Sequence, residues 1–143
     1  MNGRHTRVWL LVVLAASCRR KPPSDLAVGI AVDRRGPDYV FRFAQCGNGE
    51  EPSRVMDLDV YEIGAQDGGT APSELICSLA LTHDPRMSIA GEWKYGDIPP
   101  AYKRKRCDPL APGHAYRMEV THATLDFKVA TDGDVAVLST ACR

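Results

Sequence analysis

An aromatic and cationic stretch near the middle of the chain has the residue types of a ligand-binding surface. Aromatic faces beside cations can bind a sugar, an anionic lipid headgroup or a nucleic-acid strand through stacking and charge. We favour a simpler interpretation, in which Trp93 and Tyr95 pack in the core and the basic run is a solvated loop after Pro99-Pro100. The candidate ligand patch consists of Trp93, Tyr95, Tyr102, Lys103, Arg104, Lys105 and Arg106.

Three histidines could take part in acid–base chemistry: His83, His114 and His122. Ser78 or Ser88 could act as a nucleophile beside His83, but neither lies in the Gly-x-Ser-x-Gly turn that exposes a catalytic serine. The histidine spacings also match no short metal-binding motif. We therefore predict no catalytic residue, with a small enzyme that uses histidines and nearby aspartates as the alternative.

Two carboxylates, Asp57 and Asp59, lie two residues apart in a run that alternates with apolar residues. In a strand this spacing puts both on one face, which is typical of the solvent side of a half-buried sheet. A calcium site needs more oxygen ligands close together. We therefore expect no metal here, and no cofactor elsewhere.

The chain has five cysteines: Cys18, Cys46, Cys77, Cys107 and Cys142. The last four allow three disulfide pairings, of which we favour the nested one, Cys77–Cys107 with Cys46–Cys142. A zinc site made from all four is disfavoured because 30, 29 and 34 residues separate them, with no C-x-x-C pair.

The charge balance argues against a nucleic-acid partner. Among 143 residues, 18 Lys and Arg face 18 Asp and Glu. Without Arg4 and Arg7 of the N-terminal segment, 16 Lys and Arg remain against 18 Asp and Glu, a net charge of −2. Binding to nucleic acid depends on a strongly basic surface.

The N-terminus has three parts: a positive start with Arg4 and Arg7, an apolar run from Val8 to Ala16, and small residues before Cys18. These are the features of a secretory signal peptide. The ending Leu-Ala-Ala-Ser-Cys resembles the lipobox of bacterial lipoproteins, with Ala15 where leucine is commonest.

The resemblance implies that residues 1–17 are removed and that Cys18 is acylated, anchoring the protein to a lipid bilayer. Residues 18–25 would then form a short basic and proline-containing tether. The bilayer would be the outer membrane or the periplasmic face of the inner membrane. Acylation of Cys18 would leave an even number of cysteines for disulfides. The alternative is a plain secreted protein with an unmodified Cys18.

Residues 26–143 show period-two alternation broken by Gly, Pro and Asn, which predicts a single all-β domain. We expect an antiparallel β-sandwich of about seven to eight strands. The predicted strands are Leu26–Val32, Tyr39–Phe43, Val55–Ile63, Leu75–Leu81, Ile89–Tyr95, Tyr116–His122, Leu125–Ala130 and Val135–Ser139.

The segment from Leu110 to Val120 resembles the tyrosine corner of immunoglobulin-like and fibronectin type III sandwiches. There a Pro-Gly turn leads into a tyrosine, here Tyr116, whose hydroxyl bonds to backbone upstream. The resemblance implies an immunoglobulin-like sandwich, although Met118 stands where immunoglobulin domains have their second core cysteine.

Together these features predict a membrane-anchored lipoprotein of the cell envelope, acting as a non-catalytic binding, adaptor or structural module. Its partner would be an envelope protein or a glycan that the sequence does not identify. Two alternatives stay open: the histidine-dependent periplasmic enzyme, and a loop-based binder of an anionic glycan or lipid.

Overall fold

The alternating apolar pattern produces strands throughout the part of the chain that the computed structural model describes, residues 28–46, 48–64, 74–121 and 123–142. Twelve strands lie there, together with one 3₁₀ turn at Pro85–Met87. None of these elements is a helix with the length and hydrophobicity that crossing a bilayer requires. The strands are β1 Val28–Arg35, β2 Asp38–Gln45, β3 Asn48–Pro52, β4 Arg54–Val55, β5 Asp57–Ile63, β6 Glu74–Leu81, β7 Ile89–Ala90, β8 Glu92–Lys94, β9 Tyr102–Cys107, β10 Ala115–Val120, β11 Ala123–Val129 and β12 Val135–Cys142.

The larger sheet has six antiparallel strands in the order β12-β11-β10-β5-β6-β9. Alternate residues of its central strands are buried, as β10 illustrates with Tyr116, Met118 and Val120. These side chains form one apolar face, and the intervening residues form the outer face. The sheet has two edge strands, β9 and β12.

The second sheet is built on β2, which pairs with β1 along one edge and with both β3 and β8 along the other. A separate two-stranded sheet joins β4 to β7. Gly91 separates β7 from β8 and has a φ of +74°, a conformation that favours glycine. The predicted strand Ile89–Tyr95 is therefore divided between two sheets.

The apolar faces of the two large sheets pack against each other. The Phe41 ring of β2 lies 5.4 Å from the Phe127 ring of β11 and 5.8 Å from the Trp93 ring of β8. Tyr116 packs 5.5 Å from Phe127. The all-β antiparallel sandwich is thus confirmed. The strands outnumber the predicted seven or eight because several are short pieces at sheet edges, and the immunoglobulin-type assignment stays a prediction.

The tyrosine corner forms the expected hydrogen bond. The Tyr116 hydroxyl accepts from the Ala111 amide at 2.7 Å. Gly113, in the turn between them, has a φ of +85°. The hydroxyl therefore holds the loop that leads into β10.

Cys77 and Cys107 form a disulfide between directly opposed residues of β6 and β9, with their Cα atoms 3.9 Å apart. This predicted pair is confirmed. Cys46 is also disulfide-bonded, but the Cys142 side chain lies outside the described part, so Cys46–Cys142 stays a prediction. The signal segment and Cys18 lie outside the described residues as well.

Candidate functional site

The basic run Lys103–Arg106 forms most of β9 rather than the expected loop, so that prediction was wrong. β9 pairs with β6, placing Arg104 opposite Leu79, and a register shift precedes Arg106 opposite Ser78. All four cations are exposed, and no strand in the described part of the chain pairs with the outer edge of β9. Cations at an open edge also discourage unwanted strand pairing.

The four cations differ in their partners. Arg106 bonds Glu74 at 2.9 Å and Asp108 at 2.6 Å, and the hydrogen bond to Asp108 is the main reason its pKa is raised. Within the described ranges, no ion pair joins Lys103, Arg104 or Lys105 to a carboxylate. These three cations are therefore exposed, and no carboxylate of the described residues compensates their charge by direct contact.

The aromatic members of the predicted ligand patch lie apart from these cations. Trp93 is 3% exposed, and its indole N–H donates to the Asp97 carbonyl at 2.9 Å. Tyr102 is 6% exposed, and its hydroxyl accepts from the Ile89 amide at 2.7 Å and donates to the Val55 carbonyl. Both rings therefore pack in the core, with their polar atoms bonded inside the domain.

Tyr95 is half-buried at the opposite end of the sandwich from Tyr102. Its hydroxyl donates to the Asp108 carbonyl at 2.6 Å, and burial strongly raises its pKa. Its ring borders a groove of about 340 Å³ that Tyr39 and Leu110 also line. The structure thus brings the cations together on one edge and leaves the three aromatic rings inside or at the end of the domain.

The histidines do not assemble with a nucleophile in the described residues. His83 is exposed in a loop, and His122 lies outside the described residues. His114 Nδ1 lies 2.5 Å from Glu62 Oε1, beside a groove of about 540 Å³ that Lys128 also lines. No described hydrogen bond connects a histidine to Ser78 or Ser88.

Acidic side chains cluster on the outer face of the larger sheet. Asp59 and Glu119 lie directly opposite each other on β5 and β10, and Asp57 lies nearby. The pKa of Tyr61 is raised, first by burial and then by the charges of Asp59 and Glu119. Within the part of the chain described, no three His, Cys, Asp or Glu side chains are grouped to hold a metal ion.

The sequence analysis missed the contact between Glu62 and His114 and the ion pairs of Arg106. Glu62 and His114 are 52 positions apart and Glu74 and Arg106 are 32 apart, and sequence spacing gives no signal for such contacts, whereas Asp108 lies only two residues after Arg106. No protein-family model, curated protein or solved structure matches the chain.

Proposed function

We propose that this protein is a lipid-anchored lipoprotein of the cell envelope whose β-sandwich acts as a non-catalytic binding, adaptor or structural module. The observation that carries the proposal is the Cys77–Cys107 disulfide in a domain that follows a secretory-type N-terminus. Structural disulfides persist in oxidising compartments and are rare in the cytosol. An exported domain accounts for both features.

Acylation of Cys18 would hold the domain near the bilayer. Each buried methylene contributes about 0.8 kcal/mol, so two or three acyl chains give a lasting anchor. Arg19, Arg20 and Lys21 would then lie at the headgroups and add about 1 kcal/mol each near an anionic surface. Only residues 19–27 separate the anchor from β1.

Intact-protein mass spectrometry of the membrane fraction tests this proposal. We expect a chain that begins at Cys18 and carries the mass of acyl chains. Its mass should also be reduced by the thiol hydrogens that formation of two disulfides removes. Cys18→Ala should abolish the acyl mass. Ser17→Ala keeps a small residue before the cysteine and should be processed like the wild-type protein.

Recovery of the protein with its leader removed, an unmodified Cys18 thiol and no association with membranes would refute the anchor. A reduced Cys77–Cys107 pair in freshly isolated protein would refute export.

A second candidate function is electrostatic binding of anionic lipid headgroups by the cationic edge of β9. The observation that favours it is the absence of a carboxylate partner for Lys103, Arg104 and Lys105 in the described structure. Exposed cations near an anionic bilayer contribute about 1 kcal/mol each.

Hydrogen exchange on protein reconstituted in vesicles tests the second candidate. We expect the amides of Tyr102–Cys107 to exchange more slowly when an anionic phospholipid is added to zwitterionic vesicles. Serine at positions 103, 104 and 105 should remove this protection. A control with serine at Arg35, Arg42 and Lys94, on the other sheet, changes net charge equally and should retain it.

Equal exchange in both vesicle types would refute lipid binding by β9. Protection that appears only with an anionic polysaccharide would assign the edge to a glycan instead.

A further inference from the structure

The two edges of the six-stranded sheet differ sharply in charge. β9 carries four consecutive cations, whereas β12, Val135–Cys142, contains no charged residue. An exposed edge strand offers unpaired backbone N–H and C=O groups, and proteins usually protect it with charge, proline or a covering segment. β12 has neither charge nor proline.

The middle of β12 is also open to solvent. Residues 136–140 are all exposed, including the apolar Val137 at 52% and Leu138 at 57%. A register shift in the β11–β12 ladder occurs at this point, beside Phe127. β1 approaches β12, but it leaves these five residues uncovered. Two adjacent large apolar side chains therefore lie on an edge that neither charge nor proline protects.

We propose that β12 pairs antiparallel with β12 of a second copy of this chain, joining two six-stranded sheets across a two-fold axis. A two-fold axis perpendicular to the sheet pairs identical strands in antiparallel orientation and makes the contact self-complementary. An eight-residue strand is about 27 Å long at the usual rise, enough for several ladder hydrogen bonds.

The sequence of β12 suits this self-pairing. With the axis at the strand centre, Leu138 faces Ser139 of the second copy, and Val137 faces its Thr140. No like charges oppose each other within the strand.

The same self-pairing at β9 would oppose cations with cations, which destabilises cross-strand pairs. The charge pattern thus favours β12, rather than β9, as the edge that accepts a second copy. Edge-to-edge contacts are small beside the interfaces of permanent dimers, so we expect a reversible dimer.

Sedimentation velocity on the purified full-chain product, in detergent and over a range of concentrations, tests the proposal. We expect a monomer–dimer equilibrium in the wild-type protein. Ala136→Lys combined with Leu138→Lys should weaken dimerisation by at least about tenfold, because lysines on an edge strand disfavour its pairing with another strand and both copies then carry them. Ile98→Lys changes an exposed apolar residue outside β12 and should leave the equilibrium unchanged.

Hydrogen exchange on the wild-type protein gives a second test that needs no variant. The amides of Val135–Cys142 should become more protected as protein concentration rises, whereas those of Tyr102–Cys107 should not.

A monomer at every concentration would overturn the proposal. So would a dimer that persists in the double-lysine variant, because another surface or the detergent micelle would then hold the copies together. Protection of β12 that requires a different envelope protein would also overturn the assignment to a second copy.

Discussion

Tyrosine hydroxyls connect segments of this domain that are distant in sequence or belong to its loops. Each of these hydroxyls forms a hydrogen bond with a backbone atom, while the ring of the same tyrosine packs in or beside the core. Burial is the main cause of the raised pKa values of Tyr95, Tyr102 and Tyr116, so these phenols stay protonated as donors. The four tyrosines concerned are Tyr39, Tyr95, Tyr102 and Tyr116.

Tyr102→Phe tests the contribution of one such hydroxyl. The change leaves the Val55 carbonyl and the Ile89 amide, which belong to paired strands β4 and β7, without this partner. Loss of a partner by a buried backbone group costs about 1–3 kcal/mol, and we expect the unfolding free energy to fall by that amount in urea titration. Tyr61→Phe, on the outer face, is the control and should change it by less than about 0.5 kcal/mol. An equal effect of both changes would contradict this role.

At the residue scale, the sequence predicted Tyr116 but not Tyr102. Tyr116 follows a Pro-Gly turn at the spacing of a known local motif, so its hydrogen bond to Ala111 could be anticipated. Tyr102 stands next to four cations, which indicated an exposed segment. Its burial depends on β4 and β7, which are distant in sequence and too short to show a pattern.

At the element scale, β9 is joined to the larger sheet by pairing with β6, by the Cys77–Cys107 disulfide and by the ion pair of Arg106 with Glu74. The alternation of apolar and polar residues predicted the long strands because each of them has one buried and one exposed face. This alternation is missing in β9, where Lys103–Arg106 are exposed on both faces. The alternation also failed to show that Gly91 divides one apolar run between two sheets.

Replacing both Cys77 and Cys107 by alanine tests how strongly β9 depends on the disulfide. The residues are 30 positions apart, and closure of such a loop stabilises a fold by about 3.7 kcal/mol on the chain-entropy account. We expect a loss of about 2–4 kcal/mol in unfolding free energy and faster hydrogen exchange in β9 than in β10. A loss below about 1 kcal/mol would show that pairing with β6 suffices.

For the whole molecule, acid should weaken the fold. Arg117 forms two hydrogen bonds with Asp126, at 2.7 and 2.9 Å, and this contact is the main cause of the lowered pKa of Asp126. The pKa of Asp84 is lowered too, first by Arg86. A carboxylate whose pKa is lower in the folded than in the unfolded state stabilises the fold when the pH is above the unfolded pKa, which is about 3.9 for Asp. This stabilisation is lost as the pH falls through the pKa of the folded state.

Asp126→Asn should therefore be less stable than the wild type at pH 7, and the difference should shrink as pH falls below about 4. Thermal unfolding followed by circular dichroism between pH 7 and pH 2 measures this convergence. Asp97→Asn, in an exposed loop, removes the same charge and serves as the control. A constant gap between Asp126→Asn and wild type across that range would contradict the assignment.

The Cys77–Cys107 bond encloses more than the two strands that it joins. The covalent ring runs from β6 through β7 and β8 to β9, so it includes a strand of the opposite sheet. A protease that cuts within the ring, for example beside the exposed Arg86, would leave one covalent molecule. The cut would show on a gel only after reduction, and fragments that separate without reductant would mean that the ring was open.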